Sequence, residues 1–348
     1  MNIFKYLLFL APILVTIQEC YSQKNQILDT VIHEIKLNSI YKDKVHWDTF
    51  IPELHSSFSS EASDSIQRIL PAIEKLYTKL GDYHGLFSYK GKVIKAIYSS
   101  PRPVQKDSSI YKYALDEKYA FRTKRLDNKY GYLAIPSVQL PIEDFNDQQS
   151  ICKKISEMAQ QIQDSLNVLS SDQLEGIIID LRLNLGGTYS VVISGLSSLL
   201  ENGTIFTIIE GNNSSQKLRN IDNRLYQEEE LVSVTKNNQN FKKINIAVLI
   251  GPSVSSAGEQ AAIAFKGNDN TVIIGETTKG FASMTKLVKL SDDLFFTYST
   301  ALIQDKKGVR YETSVSPDLE VKGGDNYEYI ANDSKVQAAI KWFKTVER

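Results

Sequence analysis

The stretch that most constrains this chain is Ile244 to Phe265, INIAVLIGPSVSSAGEQAAIAF. Ile246 to Ile250 is an unbroken apolar run, which predicts a strand buried on both faces. It stops at Gly251-Pro252 and passes through a small-residue elbow, Ser253-Val254-Ser255-Ser256-Ala257-Gly258. Ala261, Ala262 and Ala264 then predict a closely packed helix. A strand that turns sharply into a helix sets the elbow's hydroxyl at the sheet edge, beside free N–H groups of the helix N-terminus. That placement suits a serine nucleophile next to an oxyanion site. Ser255 or Ser256 could equally serve as a plain helix cap, a common role for serine, and the stretch taken alone favours the cap.

A second apolar strand, Gly176-Ile177-Ile178-Ile179-Asp180-Leu181, ends in Asn184-Leu185-Gly186-Gly187, and a helix is expected over Val191 to Leu200. Further strands are expected over 130–138, 203–209 and 271–275, and a helix over 144–169. Strands alternating with helices indicate an α/β core with parallel strands joined by helical crossovers. Residues 23–80 read as a separate helical domain. Ile27, Leu28, Val31, Ile32 and Ile35 recur at helical spacing, as do Ile66, Ile69, Leu70, Ile73, Leu76, Tyr77 and Leu80, with Pro71 expected to kink or restart the second helix. Residues 81–348 form the α/β domain, starting with a strand over Lys92 to Tyr98. Within it, 210–243 is rich in Asn, Gln, Glu and Lys and reads as a surface insertion. Residues 283–302 read as two strands turning at Ser291-Asp292-Asp293. Ser334 to Thr345 reads as a helix capped by Asp333 or Ser334.

The N-terminus, MNIFKYLLFLAPILVTIQECYSQK, matches a secretory signal peptide over residues 1–22, cut after Ser22. Removing it leaves Cys152 as the only cysteine, so an intrachain disulfide is excluded and stability rests on a hydrophobic core. The formal net charge is −1, and no basic cluster carries interleaved aromatics, which argues against nucleic acid as a partner. No second apolar run is long enough to span a bilayer. The expectation is an exported globular protein, periplasmic or extracellular.

Two further segments could carry chemistry. Of the four histidines, His33, His46 and His55 fall in the helical region, whereas His84 sits in the glycine-flanked break Gly81-Asp82-Tyr83-His84-Gly85. Glu312 precedes the turn Val315-Ser316-Pro317-Asp318, a setting where an acidic residue is ordinarily on the surface. Asp180 and Arg182 read as a buried ion pair beside the glycine turn.

In order, these motifs resemble the serine peptidase family of tail-specific (C-terminal processing) proteases and the tricorn core. The resemblance rests on Gly81 to His84, Asp180-Leu181-Arg182-Leu183-Asn184-Leu185-Gly186-Gly187, Ser255 to Glu259, Gly275-Glu276-Thr277-Thr278-Lys279-Gly280 and Val315 to Asp318. It spans roughly residues 45–322 and implies a crotonase-like, ClpP-like αβ catalytic core with an N-terminal helical cap. Alignment through Glu259 selects Ser256 over Ser255 as nucleophile. Phe281 falls where the processing proteases carry their catalytic lysine, and residues 85–130 are too short and too charged for a PDZ insert, so the tricorn-like branch fits better. That branch implies His84 as base, Glu312 as its support, and an oxyanion hole from the N–H groups of Gly187 and Ala257, with Lys279 the alternative base. The expected partner is a peptide or unfolded polypeptide, with no metal and no cofactor. A non-catalytic ligand-binding or scaffold protein on the same fold is the alternative.

Overall fold

The computed structural model describes residues 26–60, 64–97, 113, 121–140, 148–171, 173–228, 230–234, 241 and 244–346. The expected signal peptide lies outside the described residues. The described residues divide into two compact units, one comprising those up to 97 with Glu210–Asn213 and Thr285–Ala301, the other the remainder.

The first unit holds helices α1 (26–38), α2 (Trp47–His55) and α3 (Ser65–Leu80). Asp64 caps α3, its Oδ1 accepting the Ile66 N–H at 2.8 Å, and Gly81 ends it at φ 67°, a left-handed conformation that glycine adopts without strain. The helix does not restart at Pro71 but runs through it. Pro71 lies on the exposed face, where water can take the carbonyl that its missing N–H leaves unpaired. Meanwhile Ile69, Leu70, Ile73, Leu76, Tyr77 and Leu80 hold the turns on either side to the core. Each fully buried aliphatic contributes roughly 1.5–3 kcal/mol, enough together to outweigh one lost hydrogen bond. Strands β1 (Leu86–Tyr89) and β2 (Lys92–Ile94) form a hairpin whose two turn residues, Lys90 and Gly91, both have positive φ. β1 also pairs antiparallel with Leu294 to Thr297, the start of a strand over Leu294–Gln304. The three helices and this sheet share one core, with Leu28, Ile35, Leu54, Ile73, Phe87 and Phe296 among its members.

In the second unit a sheet is built from β3 (Arg122–Leu126), β4 (Tyr130–Ala134), β5 (Gly176–Asp180), β10 (Asn245–Ile250), β11 (Thr271–Gly275) and the short strand Leu319–Glu320. Its order is 319–320, β11, β10, β5, β4, β3, parallel throughout except that β3 runs against β4. β4 and β5 are buried at every position, and β10 at all but its first. Such full burial explains their continuous apolar runs. Helices α4 (Gln148–Leu169), α5 (Tyr189–Gly195) and α6 (Ala257–Phe265) provide crossovers, and α7 (Ser334–Thr345) closes the chain. α7 lays Val336, Ala339, Ile340 and Phe343 on Tyr130, Ile178, Ala247, Leu249 and Val272. Alternate strand residues such as Ile177, Ile179 and Val248 point to the other face of the sheet.

The segment expected as a surface insertion contributes β7 (Ser215–Ile221), β8 (Arg224–Tyr226) and β9 (Glu230–Ser233) in its described part. They form an antiparallel meander with β6 (Gly203–Glu210). Leu218, Leu225 and Val232 bury one side of it.

β5, β10 and β11 are adjacent and parallel, so the segments that follow them emerge at one edge of the sheet. The glycine turn after β5, the serine elbow after β10 and Gly275 to Gly280 after β11 meet there. Carboxyl ends of parallel strands are where α/β proteins ordinarily build their sites.

Candidate active site

Ser256 has φ 51° and ψ −112°. Ser256 is the N-cap of α6 and forms a capping box with Glu259, but where a cap ordinarily takes an extended backbone it sits in a left-handed region that a residue with a Cβ rarely adopts, at a cost of about 1–3 kcal/mol. Several bonds hold it there. The Ser255 N–H donates to the Asn184 carbonyl at 3.1 Å, and the Ser256 carbonyl accepts the Gln260 N–H at 2.9 Å. The Ser256 N–H donates to Glu259 Oε2 at 2.8 Å. Gly258 lies so close to Asn184 that an added Cβ would stand 2.9 Å from its carbonyl oxygen.

The glycine turn is packed directly on the elbow. A Cβ on Gly186 would lie 3.3 Å from the Ser256 Cβ, and one on Gly187 would lie 2.1 Å from the Val138 carbonyl oxygen. Both glycines have positive φ, 118° and 129°. Asn184, fully buried, organises the turn: its Nδ2 donates to the Pro136 carbonyl at 3.0 Å and its Oδ1 accepts the Gly186 N–H at 3.2 Å. Thr188 donates its N–H to Val138 at 2.7 Å. Among the described residues, the N–H groups of Gly187 and Ala257 donate to no backbone carbonyl. Ala257 is the first residue of α6, where N–H groups are intrinsically unpaired.

Glu259, three residues into the motif Ser-x-x-Glu, is 0% exposed and binds four donors. Oε2 accepts the N–H groups of Ser256 and Phe281, each at 2.8 Å. Oε1 accepts the Thr278 hydroxyl at 2.5 Å and the Gly280 N–H at 2.7 Å. Burial pushes its carboxyl up to about 7, against the pull of these four hydrogen bonds. In the sequence Glu259 stands out only as the end of the elbow motif. The Ser-x-x-Glu spacing of a capping box was the available signal for its bond to Ser256.

Asp180 and Arg182 form a buried ion pair, as expected, within a larger network. Arg182, 1% exposed, donates from Nη2 to Asp180 Oδ2 at 2.6 Å and from Nη1 to Asp333 Oδ2 at 2.7 Å, and it also pairs with Asp325. The Tyr132 hydroxyl donates to Asp180 Oδ2 at 2.7 Å. Burial alone would raise the Asp180 carboxyl, but the Arg182 charge and its hydrogen bonds hold it below the ordinary carboxylate range. Lys335, 0% exposed, joins the network through Asp325 at 2.9 Å and Glu276 at 3.1 Å.

His84 belongs to the first unit and is half-buried. Its loop is organised by Asp82, 0% exposed. The Asp82 carboxylate accepts the backbone N–H of Gly85 at 2.9 Å, that of Ser299 at 2.8 Å and the Ser299 hydroxyl at 2.8 Å, together with the His84 N–H. Burial raises the Asp82 carboxyl, and the hydrogen bonds oppose that rise. Gly85 is required by crowding, since a Cβ would meet Tyr77 at 2.6 Å.

The remaining candidates are on the second unit. Lys279 donates its N–H to the Val254 carbonyl at 2.9 Å, two residues before Ser256, and its Nζ stands 5.5 Å from the centre of the Phe281 ring. Glu312 is exposed, on a segment that runs beside the same loop: Ala282 donates to the Thr313 carbonyl at 2.9 Å and Thr278 to the Val315 carbonyl at 3.1 Å. The structure therefore gathers Ser256, Ala257, Gly187 and the Lys279 backbone at one sheet edge. Among the described residues no cluster of three or more His, Cys, Asp or Glu side chains could hold a metal ion, and no helix is long and apolar enough to cross a membrane.

A family model described as peptidase family S41 matches residues 129–321. The nisin-resistance protein of Lactococcus lactis subsp. lactis is 30% identical over 178 residues, which cover 51% of this chain and 52% of that protein. The carboxy-terminal-processing protease of Bartonella bacilliformis is 25% identical over 223 residues, covering 62% of this chain and 45% of that protein. The chain thus spans about half the length of the curated relatives it matches. Among solved structures, a lipoprotein from Streptococcus agalactiae shares the fold at a TM-score of 0.67 with 20% identity, covering 92% of this chain and 96% of that one.

Proposed function

Because the chain belongs to peptidase family S41, we propose that it is a serine peptidase with Ser256 as its nucleophile and His84 as its general base. The observation that carries this reading is the Ser256 backbone. Ser256 caps α6, but where a cap ordinarily sits extended it is held in a strained, left-handed conformation against the glycine turn, which capping alone does not require. A binding or scaffold protein on the same fold has no use for such strain.

In the proposed reaction the Ser256 hydroxyl attacks the scissile carbonyl of a peptide while His84 accepts its proton. The N–H groups of Gly187 and Ala257 bind the oxyanion of the tetrahedral intermediate, a role supported by their having no backbone acceptor among the described residues. His84 then donates the proton to the departing amine, leaving an acyl-Ser256. Water, deprotonated by the same histidine, releases the acid product. Glu312 is assigned to supporting the serine–histidine pair, and Lys279 stands as the alternative base. Substrates are peptides or polypeptides, and the name of the Lactococcus relative makes nisin a sensible first peptide to try. The leader-like N-terminus supports export.

A fluorophosphonate probe tests the assignment on the mature chain. Wild type and Lys279→Ala should label, Ser256→Ala should not, and His84→Ala should label far more slowly. Undiminished labelling of Ser256→Ala would refute the nucleophile. Full labelling of His84→Ala with loss in Lys279→Ala would move the base to Lys279.

A further inference from the structure

We propose that Glu259 is a positioning residue that ties the segment Thr278 to Phe281 to the nucleophile and holds Ser256 in its attacking conformation. The inference rests on Ser256 being the nucleophile. A capping box needs from the Glu259 carboxylate only its bond to the Ser256 N–H, the reciprocal bond being made by the Ser256 side chain. Three of the four donors on this carboxylate instead come from residues 19 to 22 positions later: the Thr278 hydroxyl and the N–H groups of Gly280 and Phe281. Oε2 is shared between Ser256 and Phe281, so any shift of that segment pulls on the same atom that fixes the serine backbone.

The tie extends one step further. Thr278 Oγ1 donates to Glu259 and accepts the Val315 N–H at 2.8 Å, while the Thr278 N–H donates to the Val315 carbonyl at 3.1 Å. One carboxylate and one hydroxyl thus connect three stretches of chain around the elbow. Burying a carboxylate completely is costly, and all its acceptor capacity faces donors here, an arrangement that neither glutamine nor an apolar residue reproduces. A glutamine would turn an NH₂ group toward two donors, forcing one of the two linked segments to move. Displacements of about 1 Å at a reacting group can cost on the order of 10² in rate.

The test uses the fluorophosphonate as substrate surrogate, measuring maximal labelling rate and half-saturating concentration separately, with thermal unfolding in parallel. Glu259→Gln is expected to lower the maximal rate about 10²-fold while the half-saturating concentration stays within about threefold. Thr278→Val is expected to lower the maximal rate about tenfold, and Thr278→Ser to recover most of that loss because it restores the hydroxyl. A Glu259→Gln protein that labels within about threefold of wild type would overturn the proposal, and so would a Thr278→Ser protein no better than Thr278→Val. If Glu259→Gln does not fold, the Thr278 pair decides. Ser256→Ala run alongside separates the two readings. Labelling that survives in Ser256→Ala means the nucleophile is wrong, whereas a silent Ser256→Ala with unaffected Glu259→Gln means only the positioning role is wrong.

Discussion

Replacing Arg182 by Met keeps most of the side-chain volume and removes the charge. The guanidinium is the partner of two carboxylates that are themselves essentially buried, Asp180 and Asp333, and of the partly exposed Asp325. Asp333 would retain the N–H groups of Lys335 and Val336, which it caps at 2.9 and 3.1 Å, and that of Asn326 at 2.7 Å. Asp180 would retain the Tyr132 hydroxyl and the N–H of residue 182. Removing one partner of a buried ion pair costs about 3–5 kcal/mol, because it strands the charges left behind. With a urea m-value of about 3 kcal/mol/M for a chain this size, the unfolding midpoint should drop by about 1–1.7 M, read by circular dichroism. The pH dependence adds a sign. In wild type the depressed Asp180 carboxyl contributes stability that is present at neutral pH and is lost only below the ordinary carboxylate range. In the variant burial outweighs the two hydrogen bonds that remain and raises that carboxyl, so the native state takes up protons first and the deficit should shrink between about pH 7 and pH 5. Probe labelling per folded molecule should stay near wild type. A midpoint shift under about 0.3 M, or a deficit that grows as pH falls, would refute the reasoning.

Gly187→Ala places a methyl 2.1 Å from the Val138 carbonyl oxygen at a φ of 129°. The turn must move, and loss of an oxyanion donor should lower probe labelling on the order of 10²–10³-fold, measured on protein that remains folded by circular dichroism. For Glu259 the folded-state carboxyl lies at about 7, above its unfolded value of 4.5. The folded chain therefore binds the extra proton between those values, and stability falls as pH rises through that window. The loss is up to about 3 kcal/mol between pH 5 and pH 8 in urea unfolding, and Glu259→Gln should flatten it.

Elements buried on both faces were legible almost to the residue. β5, β10 and β11 are runs of Ile, Val, Leu and Ala ended by glycine or a polar residue, because nothing on either face meets water. The α7 cap was equally readable, since Asp333 acts on N–H groups two and three residues away. β7 to β9 were not legible as strands. Only Leu218, Leu225 and Val232 mark the side they bury, and the polar residues between them read as loop. Pro71 looked like a helix break because the local rule carries no information about seven buried neighbours on the same helix.

The sequence by itself determined the family, the order of the motifs and the small residues at 186, 187, 257 and 258, because these depend on local backbone demands and steric limits. It could not assign Glu259 its role beyond the first helical turn. Three of its hydrogen bonds reach residues 19 to 22 positions away. Nor could it show that Arg182 is held by Asp333, 151 residues on. The left-handed backbone at Ser256 was also decided by tertiary structure. No serine adopts it from its own preference, and it persists only because the Asn184 carbonyl, the Glu259 carboxylate and the glycine turn close around it.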